Sequence, residues 1–412
     1  MNKKIAVVGA GLIGTSIALR LKQKGKDVVL IDKSFTEQPA SGGNAGIIAY
    51  CDIFPMIDAK LLLKIPFWLL NPRAMVSLKP SYALKMFPWF IELLKSTSPK
   101  RKEGYVEAKL SIMKSALSDH YTQIDQQDIE RFIAETGTYY LYSKQSSFEG
   151  DANVRKLKAE HGYEPEIVSA NDAYKRIDGL EQGVYKAVFE KDSANLKSPM
   201  GLLKYLRDKA VGLGVELKQD KVSNIRRNTD KIYLDFEDGN FIEVDEIVIA
   251  AGAYSRKLVN DLGFDIPLDT ERGYNVTIPN SPFKFNVGVI AKDAQIAISS
   301  LDDGLRVGGG VEFAGIDAKP NYERIDVMLK LAKELFPSIP TDRGERWMGC
   351  RPSMADDLPV IGQHPRDRRI SFAFGHGHLG MTMAAVTAKH ISNMIVDGKT
   401  DIDLTPFRVD RF

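Results

Sequence analysis

The sequence predicts a mixed α/β and α+β fold: a Rossmann-like domain assembled from separated segments, with an antiparallel-sheet domain threaded between them. Three observations carry this. The first 32 residues run strand, helix, strand; a helix, turn and strand step recurs near 198–225; and residues 270–313 are strand-like and turn-rich.

In chain order, IAVVGA (5–10) is a short apolar strand, GLIGTSIALRLKQKG (11–25) a helix and DVVLID (27–32) a second strand. Both strands are apolar throughout, as in a parallel sheet buried on both faces. Gly25 supplies the stop expected of a helix C-terminus. Residues 51–140 change character, with an apolar, proline-punctuated run from Phe54 to Leu94 and then a polar helical pattern ending near Ile133. GTYYLYS (137–143) reads as a strand, SPMGLLKYLRDKAVGLGVELKQDKVSNI (198–225) as helix, turn and strand. KIYLDF and FIEV alternate like half-buried strands, and EIVIAAGA (246–253) is fully apolar. RGYNVTIP, AQIAIS and LRVGGGVEF follow as strands, 322–336 as an amphipathic helix, and 345–395 as strand, loop and helix. This alternation divides the chain into a nucleotide-binding domain (1–52, 145–225, 240–260 and 340–412) and a substrate or cover domain (53–144 and 261–339).

A chain of 412 residues exceeds one ordinary core, in keeping with two domains. Its 56 basic and 54 acidic residues give a net charge of +2, so no clustered basic excess points to nucleic acid. Cys51 and Cys350 cannot build a disulfide framework and lack metal-type spacing, so no metal is expected and a reducing, cytoplasmic setting is. The opening MNKKIAVVGAG enters its glycine turn too soon for a signal peptide and reads as the first strand. No stretch reaches the roughly 18 apolar residues of a membrane span. The nearest, LLLKIPFWLL (61–70), is broken by Lys64 and Pro66.

Chemistry enters at the first turn. Gly9, Gly11 and Gly14 form G-x-G-x-x-G between strand and helix. The first glycine permits the turn, the second lets the backbone approach a pyrophosphate, and the third lets helix and strand pack closely. Leu12 and Ile13 open the helix, whose N-terminal N–H groups suit an anion. Asp32 ends the second strand, 18 residues beyond Gly14, where a carboxylate can accept from an adenosine ribose; Lys33 follows it. This unit binds a dinucleotide, and Asp32 disfavours one carrying a 2′-phosphate. The next loop, SGGNAGII (41–48), has small residues whose backbone could lie along a flavin chain, with Ser41, Asn44, Ala45, Gly46 and Ile47 as contacts. Near the end, FAFGHGHLGMTMAA (372–385) runs from strand through a glycine turn into a helix. His376, Gly377, Leu379, Gly380, Met381 and Thr382 lie where a helix N-terminus can stabilise the charge of a reduced isoalloxazine.

Together these motifs resemble the D-amino-acid oxidase superfamily of FAD-dependent enzymes, most closely the bacterial D-amino-acid dehydrogenases. The likeness rests on VVGAGLIGTSIALRL with Asp32, the SGGNAGI loop, AISSLDDGLRVGGGVEFAG (297–315), and W-x-G-x-R-P with D-x-P-V-I-G and G-H-G-x-L-G-M-T. IPFWLLNPRAMVSLKPSYALKMFPWFIELL (65–94) is also similar, and the likeness thins at 100–190. It implies a Rossmann-like FAD-binding domain with a discontinuous antiparallel-sheet substrate domain. It also implies contacts of Val222 with adenine and of Gly252 with the pyrophosphate.

The resemblance further places Arg351 where related enzymes hold a substrate carboxylate, a task that suits a planar, always charged fork. The other reading is a structural arginine paired with Asp356 or Asp357. His378 matches a substrate-contacting arginine of glycine oxidases, so it either contacts ligand or only bonds backbone. Tyr274 either lines the site or packs, packing being the stronger expectation. Cys350 matches a cysteine that bonds flavin in sarcosine oxidases; the alternative is a small buried side chain beside non-covalent FAD.

The implied activity is oxidation of a D-amino acid or a cyclic imino acid of D-proline or hydroxyproline type. Hydride transfer to flavin N5 gives an imino acid, then a keto acid and ammonia from a primary amine. No general base is assigned. Alternatives are a sarcosine- or glycine-oxidase-type N-alkyl amine oxidase, and a flavin subunit of an amine dehydrogenase complex. Oxygen or a quinone reoxidises the flavin. The run Phe54–Leu94, with Trp68, Phe87, Trp89 and Phe90 among Lys60, Lys64, Arg73, Lys79 and Lys85, reads as a cover over the pocket or as a peripheral contact with the inner face of the cell membrane, and the two can coexist.

Overall fold

The computed structural model describes residues 3–54, 65–70 and 74–412; Lys60, Lys64 and Arg73 of the basic, aromatic run lie outside them. A six-stranded sheet forms the nucleotide-binding half, in the order Glu216–Gln219, Asp27–Asp32, Lys4–Val8, Glu246–Ile249, Asp367–Phe374, Val360–His364. All neighbours are parallel except the last pair. Residues of Lys4–Val8 alternate between two cores. Ile5 and Val7 meet the helices Leu12–Gln23, Pro199–Gly212 and Gly380–Asp397, whereas Ala6 and Val8 face a three-stranded antiparallel sheet (222–227, 232–236, 241–244). The apolar runs in the sequence are thus strands with no solvent face.

The second half is a nine-stranded sheet. Its path runs Glu345–Met354, Leu268–Ile278, Gly304–Phe313, Ile296–Leu301, Gly288–Ala291, Thr138–Tyr142, Lys186–Glu190, Glu166–Ser169, with Val76–Leu78 beside Gly304–Phe313. Most pairs are antiparallel as expected, but Gly288–Ala291 with Thr138–Tyr142 and Val76–Leu78 with Gly304–Phe313 are parallel. The expected nucleotide segment 145–225 divides between the halves. Strands Glu166–Ser169 and Lys186–Glu190 join the large sheet, while 199–219 packs with the six-stranded one. The segment 340–412 divides likewise, Glu345–Met354 forming the edge of the large sheet. Strand alternation is a local signal, whereas the choice of partner rests on pairings with segments well removed in the chain, as of Lys186–Glu190 with Thr138–Tyr142 and of Glu345–Met354 with Leu268–Ile278. One face of the large sheet packs Tyr139, Leu141 and Val289 on the helix Glu323–Lys333. The opposite face presents Tyr140, Val188 and Ile290 to the cavity between the halves.

The run from Phe54 to Leu94 contains short Ile65–Leu70 and the longer helix Ala83–Ser96. Their inner residues Trp68, Met86, Trp89 and Leu93 pack on Phe313. Among the described residues no helix is long and apolar enough to cross a membrane.

A buried charge cluster ties residues 51–52 and the helix Ala152–Glu160 to the large sheet. Lys158 Nζ lies 2.7 Å from both Asp52 Oδ1 and Glu190 Oε1, and the Cys51 thiol donates to Glu190 Oε2 over 2.8 Å. Burial alone would push the lysine's pKa down, but Asp52, Cys51 and Glu190 raise it above its ordinary value. The ammonium therefore sits where Cys51, Asp52 and Glu190 would otherwise converge on a cation. Removing one member of such a cluster leaves uncompensated buried charge. Lys158→Met is accordingly expected to lower unfolding free energy by about 3–5 kcal/mol in urea titrations; a loss below ~1 kcal/mol would place the two carboxylates in contact with water.

Candidate active site

The halves enclose a cavity of about 1660 Å³. That exceeds the roughly 300–1,000 Å³ of an ordinary small-molecule pocket, leaving room for a dinucleotide and a second molecule.

At one end, the turn after Lys4–Val8 is held by Asp32, which accepts from Ala10 N at 2.6 Å and Ser34 N at 3.1 Å. Gly9 adopts φ +106°, and a Cβ there would strike the carbonyl of Ala250. A Cβ on Gly14 would collide with Gly9 O, so the third glycine is a packing position and lies off the cavity wall. Gly9, Gly11, Leu12, Ile13, Asp32, Lys33, Val222 and Gly252 all reach that wall. The glycine turn, the helix start at Leu12 and the carboxylate at a strand end are thus brought together.

The 41–48 loop forms the next stretch. Leu12 N donates to Ser41 Oγ at 3.0 Å, Asn44 Nδ2 to Ser41 O, and Gly46 N to Asn44 Oδ1 at 2.7 Å. Ser41, Asn44, Ala45 and Ile47 border the cavity, whereas Gly46 is turned into the strand contact with Leu196. The glycine turn at 375–380 faces this loop. His376, Gly377, His378, Leu379, Gly380 and Met381 border the cavity, and Thr382 stands behind it, accepting from Ala49 N at 3.2 Å. His376 is buried and shares a 3.1 Å hydrogen bond with Thr387 Oγ1; burial, and then Lys109, hold its pKa down at about 3, so its ring is neutral.

Arg351 lies in the strand Glu345–Met354, beside Glu271 of Leu268–Ile278 in register. Its Nη1 donates to Gly310 O at 3.0 Å, and the guanidinium occupies the space a Cβ on Gly273 would need. Only glycine at 273 lets the arginine lie across its neighbouring strand. The structural pairing with Asp356 or Asp357 does not form: Asp356 is held by Arg411 at 2.7 Å, and Asp357 accepts from Tyr105 at 2.7 Å. Burial lowers the guanidinium's pKa and Glu271 opposes that shift.

Glu271 is the residue that sequence reasoning missed. Its buried carboxylate lies 2.6 Å from His378 Nε2. Burial raises its pKa, but His378, Arg351 and Ser353 outweigh burial and bring it below the ordinary glutamate value. The available signal was an acid inside an otherwise strand-like run, T-E-R-G. His378 thus bonds a side chain, not backbone as one reading had it. Tyr274 borders the cavity, but its ring packs in the sheet core and its hydroxyl bridges Glu312 at 2.6 Å and Asn321 N at 3.0 Å. Cys350 is a free thiol on the wall, next to Arg351.

Comparison with known proteins agrees with this arrangement. A family model described as FAD dependent oxidoreductase matches residues 4–394. A D-amino-acid oxidase of Bradyrhizobium diazoefficiens is 30% identical over 418 residues, covering 100% of this chain and 99% of the relative. Among solved structures, glycine oxidase from Geobacillus kaustophilus superposes with a TM-score of 0.74 at 19% identity, covering 100% of both chains. L-proline dehydrogenase from P. horikoshii gives 0.74 at 17% identity, covering 100% of this chain and 98% of that one. With a dinucleotide turn, a second glycine turn and a cavity wide enough for both cofactor and substrate, the chain belongs to the FAD-dependent oxidoreductase family and acts on amino acids.

Proposed function

We propose that the substrate is a D-amino acid or a cyclic imino acid of D-proline or hydroxyproline type, oxidised at its C–N bond. The observation that carries this reading is Arg351, a partly buried guanidinium on the cavity wall with the glycine turn 375–380 beside it. Such a fork pairs a carboxylate in two parallel hydrogen bonds and so fixes the adjacent α-carbon. Kinship with a relative named D-amino-acid oxidase supports the D series.

In this reading Gly9, Gly11, Leu12 and Ile13 hold the pyrophosphate of FAD, Asp32 its ribose and Val222 its adenine. The 41–47 loop runs along its chain, and the 376–382 turn faces its ring system. FAD, held non-covalently, supplies the hydride acceptor, and the chain supplies orientation and a dry site. The product is an imino acid, which water converts to a keto acid and ammonia when the amine is primary. Anaerobic titration across D-, L- and N-alkyl amino acids and both prolines tests this. Bleaching by D-substrates is expected, whereas bleaching by N-methylglycine or glycine alone would move the assignment to an N-alkyl amine oxidase. Arg351→Ala is expected to lower kcat/KM roughly 100-fold, the equivalent of about 3 kcal/mol from a charged hydrogen bond, with Arg351→Lys between. An unchanged KM and kcat in Arg351→Ala would remove the carboxylate anchor.

A second proposal concerns the electron acceptor. On the helix Ala83–Ser96, Leu84 (89% exposed), Phe87, Ile91 and Leu94 form an outward apolar stripe, with Phe67 and Leu70 (85% exposed) on the preceding helix. Lys79, Lys85 and Lys95 are exposed beside it. Apolar residues flanked by lysines suit an anionic membrane surface, from which a quinone would reach Trp68, Trp89 and Phe90 on the cavity wall. Co-sedimentation with vesicles containing phosphatidylglycerol is expected for the wild type and is expected to be lost in Leu84→Ser/Phe87→Ser/Ile91→Ser. Equal sedimentation of both proteins would remove the outer stripe as the membrane contact.

A further inference from the structure

We infer that Glu271 and His378 form a proton-accepting dyad for the substrate amine, an assignment resting on the amine-oxidation reading. An α-ammonium has no lone pair with which to form C=N, so one N–H proton must leave before the α-C–H bond is broken. The carboxylate and the nitrogen share one carbon, so the acceptor must stand close to Arg351.

Few described side chains in that part of the wall can take a proton. Arg351 is always charged in this range. The Tyr274 hydroxyl is used by Glu312 and Asn321 on the far side of its strand. His376 is buried with Nε2 on Thr387. His378 differs, because its side chain is 31% exposed on the cavity wall while its Nε2 is 2.6 Å from a carboxylate that is 4% exposed. A buried carboxylate on one ring nitrogen fixes the tautomer, so Nε2 carries the hydrogen and Nδ1 keeps its lone pair. The same strand pair sets both functions. Glu271 and Arg351 are register partners, and Gly273 two residues on makes room for the guanidinium.

The step balances without another reactant. The ammonium N–H bond breaks, its electron pair stays on nitrogen, and the proton bonds to His378 Nδ1. The positive charge passes from substrate to an imidazolium facing the Glu271 carboxylate, and the proton later leaves to water along the exposed edge of the ring. Other charged or titratable groups around the dyad are Arg351, His376, whose ring is neutral, and Asp357. The last has Oδ1 3.6 Å from where a Cβ on Gly377 would stand, and is itself faced by Tyr105 and Lys109. Histidine is the side chain suited to changing charge across the working range.

The test is anaerobic stopped-flow reduction of the holoenzyme from pH 5.5 to 10, using the fastest of D-alanine, D-proline and glycine. For His378→Asn we expect a rate about 100-fold below wild type at pH 7, recovering towards it near pH 10, where the free amine is supplied ready-made. Glu271→Gln, which keeps the volume and serves if the histidine variant does not fold, is expected to lower the plateau and move the ascending limb to lower pH. Propionate, which lacks the amine, should bind His378→Asn within 3-fold of wild type, read from the flavin spectrum. A loss that is equal at every pH, or weakened propionate binding, overturns the dyad and leaves His378 a packing or anchoring residue. A wild-type flavin bleached by no amino acid at any pH overturns the amine-oxidation reading, and the dyad with it.

Discussion

Arg306 holds the two halves of this molecule in register. It is 2% exposed, and its Nη1 donates to Gly42 O at 2.8 Å and Asn44 O at 2.9 Å. Nε reaches Thr277 at 3.0 Å and Nη2 reaches Asp303 at 2.8 Å, while Asn275 Nδ2 takes Gly43 O at 2.6 Å. Three successive carbonyls of an irregular loop are therefore satisfied by side chains of the large sheet. The loop's other end meets the nucleotide-binding helix through Ser41 and Leu12. A guanidinium kept charged against the cost of burial is worth holding here because two of its bonds position backbone carbonyls of the loop. With Asn275, it fixes the distance between this loop and the large sheet, and so part of the cavity's width.

That fixed width matters because the site works by placing charges a few ångströms apart in a medium that screens poorly. Arg351, Glu271 and His378 come from two adjacent strands and one turn. In the proposed reading, an arginine alone on the wall would hold a carboxylate, and a buried glutamate beside it would also act on the amine. Glu271 partly neutralises the guanidinium without bonding it: Arg351 donates to the Gly310 carbonyl, and the Glu271 carboxylate lies against the histidine. The carboxylate thus serves the ring and leaves the arginine facing the cavity.

How much of this was legible in the sequence follows from the range of each signal. Strand, glycine turn and helix at 4–23, and the turn opening the helix at 380, are local patterns, and both appear where the residues place them. The family resemblance singled out Arg351 and His378, but the sequence could not show what either touches. Glu271 escaped notice because a lone acid in a strand has no periodic signature; it acquires meaning only from register with Arg351, which lies 80 residues away. The same blindness to pairing explains why 166–190 was expected with the nucleotide domain although its strands lie beside Thr138–Tyr142. Tyr274 shows the converse, a residue near the site in sequence terms whose hydroxyl is committed elsewhere.

The helix Ala83–Ser96 carries an inner and an outer apolar stripe, and the two readings of the basic, aromatic run draw on one stripe each. Met86, Trp89 and Leu93 turn inward to Phe313 and the cavity, while Leu84, Phe87, Ile91 and Leu94 turn outward. A helix apolar on all sides is ordinarily surrounded by protein. Here the outer side meets solvent, so its hydrophobicity is not explained by packing within the chain. Pro88 sits inside the helix on the exposed side. The inner stripe accounts for the cover, and the outer stripe is the surface on which the proposed membrane contact rests. A cover whose two faces are both apolar can lie on a bilayer without turning its pocket lining outward, so that an acceptor dissolved in the bilayer would need to cross only the thickness of one helix.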